Sequence, residues 1–136
     1  MKILTVSAIC LILLTGCQLI SPILTNYNGV RMDVAHYINN SWRFGLKERD
    51  VLVAYAKEQQ KVTTWTRLND TERHRLAEQR LFGRYCAEQK ISAKKLDLID
   101  QKIFANSESQ MMLVAMYRLQ QKMQLDLNNT DCKDKF

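Results

Sequence analysis

Glycine and proline are scarce in this chain, at Gly 4 and Pro 1 in 136 residues. An all-β sandwich or barrel needs many tight turns, most of them built with one of these residues, so such folds are excluded. A glycine-rich phosphate loop is excluded on the same ground. Histidine is almost as rare, at 2. No Gly-x-Ser-x-Gly and no His-Glu-x-x-His occurs, so the usual serine-hydrolase and zinc-protease signatures are missing. Neither His36 nor His74 has a second ligand at metal spacing, and no Cys-x-x-Cys is present, so no metal and no cofactor is expected. Charged residues at 25% and hydrophobic residues at 46% are ordinary for a globular protein and argue against disorder or a multi-span membrane protein.

What is present begins with an address. Met1 and Lys2 make a short positive start. The run over residues 3–14 has only Thr5 and Ser7 as polar members. It falls short of the roughly 20 apolar residues that cross a bilayer core and fits the apolar part of a secretory signal. Leu14-Thr15-Gly16-Cys17 follows. This stretch resembles the lipobox of bacterial lipoproteins: an apolar residue, two small residues, then Cys. The resemblance implies that residues 1–16 are removed, that Cys17 carries diacylglyceryl and acyl chains, and that these anchor the protein, since two or more chains hold stably where one does not. Gln18 stands where an Asp would retain such a protein in the inner membrane, so the family pattern points to the outer membrane, with the periplasmic face favoured over the cell surface. Cys10 lies inside the removed segment. Residues 17–28 carry the only proline and no clear period. They read as a tether of roughly 35 Å at most, although Leu19, Ile20, Ile23 and Leu24 are apolar enough to pack on something.

Residues 29–136 read as helices. Val30, Val34, Tyr37, Ile38 and Trp42 share one helical face, with Gly45 ending the run and Trp42 expected in the core. A second helix is expected over 46–62, with Val51, Leu52, Tyr55 and Ala56 inward. The β-branched stretch 63–66 reads as a loop, and its Trp65 fits core or interface equally. Asn69 with Glu72 makes a capping box for a third helix ending near residue 89. Ser92 is placed to cap a fourth, with Leu96, Ile99 and Ile103 on one face. Ser107 with Gln110 resembles another box, opening a fifth helix with Met112, Met116, Leu119 and Met123 inward. The expected fold is therefore all-α: a compact bundle of four to five short antiparallel helices.

With Cys17 lipidated, Cys86 and Cys132 remain in an oxidising compartment and most simply form one disulfide. Candidate chemistry is sparse. Asp97 and Asp100 lie one turn apart, as an acid/base pair could, but read better as solvated charges near Lys94 and Lys95. His36 reads as a partly buried helix residue. No catalytic residue is expected, and the chain is not expected to be an enzyme.

Arg73, Arg80 and Arg84 fall at i, i+7 and i+11 and share a stripe, beside an apolar face of Leu81, Phe82 and Tyr85. A solvated helix back with a core-facing front explains this, and a surface for an acidic or anionic partner is the functional alternative. Nucleic acid is the usual partner of basic charge, but the compartment argues against it. The Met-rich fifth helix reads as core rather than as a groove. The sequence thus points to a lipid-anchored, non-catalytic adaptor for a cell-envelope secretion, pilus or cell-wall complex. The plan is similar to the small helical pilotins in architecture only, with no shared motif. A structural or protective surface lipoprotein, such as an exclusion or inhibitor factor, is the alternative.

Overall fold

The computed structural model describes residues 26–127 and 129–136. Cys10, Cys17 and the lipobox lie outside the described residues. The first described element is a short hairpin, β1 (Asn26–Tyr27) paired antiparallel with β2 (Val30–Arg31). Asn28 and Gly29 form its two-residue turn with φ of 53° and 79°, the left-handed pair that hairpins select. A side chain at position 29 would also strike Lys57. Among the described residues, 26–28, which composition assigned to the tether, belong to this hairpin.

Helix α1 (Met32–Asn40) follows directly and buries Val34, Ala35 and Ile38. It is shorter than the periodicity implied. After Asn40 the chain turns, and the change of direction rotates Trp42 outward to 89% exposure and brings Phe44 into the core instead. Phe44 meets Tyr37 edge-on, with ring centroids 5.7 Å apart. Gly45 does not close α1 but precedes α2 (Leu46–Gln59), where its N–H donates to Glu48 Oε2 at 2.8 Å.

A 3-10 segment (Gln60–Arg67) replaces both the end of the expected second helix and the expected loop. Thr63 and Thr64 donate their hydroxyls to the carbonyls of Gln60 and Lys61, each at 2.7 Å. Such bonds to the preceding turn let β-branched residues stay helical. Val62 and Trp65, three apart and eclipsed in 3-10 geometry, both point inward, which decides Trp65 in favour of the core.

Helix α3 (Asp70–Glu88) opens with the expected box, Asn69 Oδ1 accepting from the Glu72 N–H at 3.0 Å and Glu72 accepting from Asn69 N–H at 2.9 Å. Helix α4 (Ala93–Ile103) buries Leu96, Ile99 and Ile103; Ser92 precedes it without making a side-chain cap. Helix α5 (Ser107–Gln120) is capped by Asn106 rather than by Ser107: the Asn106 side chain accepts from Ser109 N–H at 2.8 Å. Met112 and Met116 enter the core, as the spacing required.

Among the described residues the result is an all-α bundle of five α-helices with one small hairpin. One core cluster, including Leu52, Tyr55, Trp65, Leu96, Ile99 and Met116, runs through it. Cys86, at the end of α3, is joined to Cys132 with Cα atoms 5.3 Å apart. That bridge holds the tail beyond α5 against the bundle; Phe136 packs on the core, and its carbonyl accepts from Lys90 Nζ.

Candidate functional site

The arginine stripe of α3 exists, but it faces the protein. The buried side of the helix is Leu76, Ala77, Arg80, Gly83, Cys86 and Ala87. Four of these are small, so the backbone approaches its neighbours closely and leaves room for one long side chain. Arg80 takes that room and is only 4% exposed. Leu81, Phe82 and Tyr85, expected as the core-facing front, are half-buried flanks.

Arg80 Nη2 donates to Asp100 Oδ2 at 3.1 Å. Its guanidinium also lies over the rings of Tyr117, at 5.1 Å, and Phe104, at 5.8 Å. Arg84 extends the network. Its Nε donates to Glu88 at 2.6 Å, one Nη to Asp97 at 2.8 Å, and the other to Asp100 at 3.3 Å. Tyr55 OH, from α2, donates to the same Asp100 carboxylate at 3.0 Å and 3.1 Å. Asp100 is therefore not a solvated surface charge. Its side chain is 12% exposed and serves as the acceptor on which α2, α3 and α4 converge. Asp97, its neighbour one turn away, remains exposed.

Burial shifts these groups. Loss of water pushes the Asp100 carboxyl above the usual carboxylate range, opposed by Arg80, Tyr55 and Arg84. Burial raises the Tyr55 hydroxyl, and the nearby Asp100 charge raises it further. Burial alone would lower Arg84, but its bonds to Glu88, Tyr55 and Asp97 outweigh this and hold it above its ordinary value. Both oxygens of Asp100 are thus occupied by donors, and Tyr55 stays protonated.

Arg73, the first member of the stripe, is turned back on the 3-10 segment. It donates to Trp65 O at 3.1 Å, pairs with Asp70 at 3.3 Å and lies over the Trp65 ring at 5.9 Å. The exposed cations of this part of the molecule include Lys61, Arg67, Arg75 and Lys90. The stripe is therefore mainly internal wiring, and Arg80 offers no surface to an anionic partner. His36 is exposed on α1, with Asn40 at 3.3 Å from its ring, and not partly buried.

A different surface emerges beside the network. An open cleft of about 580 Å³ lies between α4 and α5, lined by Asp97, Asp100, Phe104, Gln110, Leu113 and Tyr117. On its α5 side the cleft is lined by Gln110, Leu113 and Tyr117, and an exposed apolar strip of the same helix runs beside it. Met111, Val114 and Tyr117 are exposed large hydrophobic residues at i, i+3 and i+6, next to the half-buried Leu113. The spacing was visible in the sequence, but the inward set Met112 and Met116 on the same helix drew the reading to its other side.

Among the described residues no three His, Cys, Asp or Glu side chains are grouped to hold a metal ion, and no helix is long and apolar enough to cross a membrane. No protein-family profile matches the chain, and neither curated proteins nor solved structures show a match.

Proposed function

We propose that this protein is a lipid-anchored, non-catalytic adaptor that holds a helix of a cell-envelope assembly at the outer membrane. The lipobox-like Leu14-Thr15-Gly16-Cys17 supports the anchor. The observation that carries the binding role is the exposed apolar wall of α5 beside the α4–α5 cleft. Met111, Val114, Leu113 and Tyr117 suit the apolar face of an amphipathic partner helix, a common mode of recognition. Asp97, exposed at the rim, suits a Lys or Arg on that helix. The occupied oxygens of Asp100 fit a structural role for this carboxylate better than that of a general base.

A photo-crosslinking residue at position 114, followed by purification from native membranes, tests this reading. One stoichiometric envelope protein should be captured, and Met111→Glu with Val114→Glu should abolish capture while leaving the thermal transition in place. Recovery of the lipoprotein alone would refute it. Cell-surface protease accessibility would separate it from a protective surface lipoprotein, which must be exposed to the outside.

A further inference from the structure

We propose that the turn between α1 and α2 is a membrane-contacting tip, seated in the headgroup layer of a bilayer that carries anionic phospholipid. It rests on the lipid anchor proposed above and adds a second point of contact.

Among the described residues, Trp42 and Leu46 are the two most exposed large hydrophobic side chains, at 89% and 79%. They stand four residues apart at one end of the bundle. Neither belongs to the core, because Phe44 between them fills the position that a core residue would take. Of the exposed polar residues around them, Arg43 and Lys47 are cationic, Asn40 is neutral and Asp50, one helical turn after Leu46, is acidic. Arg43 and Lys47 are both exposed, and the Arg43 guanidinium lies 5.7 Å over the Trp42 ring. The acid in this turn, Glu48, is drawn away by Lys95 of α4, with Nζ 2.6 Å from its carboxylate. An exposed indole, an aliphatic side chain and two cations at one tip match a layer that is greasy below and negatively charged above.

Chain length allows the contact. From Cys17 to the start of β1 an extended chain reaches about 30 Å. Helix α1, which separates the hairpin from the turn, has 9 residues and so is about 14 Å long. The anchor can therefore lie in the same membrane that the turn touches. Two apolar side chains are a weak membrane signal alone. Held by a short tether, they act at millimolar effective concentration, which turns weak affinity into a populated docked orientation.

The test uses the full chain, purified in detergent and reconstituted into vesicles of phosphatidylethanolamine and phosphatidylglycerol, with or without brominated acyl chains. Trp65 is buried in the bundle, so it serves as the internal reference. Brominated lipid should quench a large part of the wild-type tryptophan emission and leave a Trp42→Phe variant almost unquenched. Arg43→Gln with Lys47→Gln should reduce the quenching most at low salt, because exposed charge pairs are screened by salt. Equal quenching in wild type and Trp42→Phe would overturn the proposal. So would a concentration-dependent dimer lost in Trp42→Phe, which would assign the turn to a second copy of the chain. Mass spectrometry of the same sample reads acylation of Cys17 separately. A chain without lipid would sink the anchor, while emission on adding vesicles would still report on the turn.

Discussion

Two tryptophans, each stacked with an arginine, meet opposite fates in this molecule. Trp65 sits in the 3-10 segment under Arg73 and is 7% exposed; Trp42 sits in the α1–α2 turn under Arg43 and stands in solvent. The local chemistry is nearly the same. What differs is the backbone that carries it. The 3-10 segment follows α2 without a break and drives its i, i+3 pair into the core. The turn interrupts the helical path and presents Phe44 inward at Trp42's expense. The region around α3 thus buries aromatic and charged groups together, whereas the turn exposes aromatic and charged groups together. Burial here is a property of the path of the chain before it is a property of the residue.

Substitutions can break that contrast, starting with the region around α3. Trp65→Ala should destabilise the fold by about 4 kcal/mol, as removal of a buried aromatic side chain does, read as a shifted denaturant midpoint. Asp100→Asn should cost about 3 kcal/mol, because it leaves Arg80 buried with its countercharge gone; a midpoint within error of wild type would show that the network is ornamental. Cys132→Ser should remove roughly 2–3 kcal/mol by freeing the tail, with faster proteolysis after residue 120 as the accompanying sign. At the turn, the effects should shrink. The carboxyl of Glu48 is held below its ordinary value of 4.5 by Lys95 first and by Gly45 N–H second. Its contribution to stability is therefore present above pH 4.5 and lost as pH falls through its folded value. Glu48→Gln should flatten that part of the acid limb in a pH series of thermal transitions. Smallest of all, Trp42→Ala should change stability by less than about 0.5 kcal/mol. A larger loss would mean that the turn is part of the packing and the contrast is false.

Much of the helical order was legible from spacing and caps. The Asn69–Glu72 box and the inward triplet Leu96, Ile99 and Ile103 survive unchanged, because both depend on contacts within one helix or on a strong apolar period. The pairing of Cys86 with Cys132 followed from having two thiols left for one bridge. The misread features share another origin. Arg80 and Asp100 look like surface residues by type, and only the small residues Ala77, Gly83 and Ala87 around Arg80 hint that this side of α3 is the inner one. Each buried charge is acceptable because the other is 20 residues away in sequence and adjacent in space, a relation no local window contains. The apolar wall on α5 was hidden for a related reason: a helix rich in methionine supplies two plausible faces, and packing against α3 and the 3-10 segment chooses between them.

The hairpin has a mechanical consequence. A pull on the chain upstream of Asn26 enters the fold at β1 and is passed to β2, whose backbone is gripped at several points. Gln60 accepts from Arg31 N–H at 3.0 Å and also donates to the Gly29 carbonyl. The Arg31 guanidinium holds the carbonyls of Lys102 and Ile103 at the end of α4, at 3.1 Å and 3.2 Å. Tension would therefore be shared between the 3-10 segment and the last turn of α4 before it reached α1. Those few bonds act as a strain relief, keeping force at the entry point from peeling the first helix off the core.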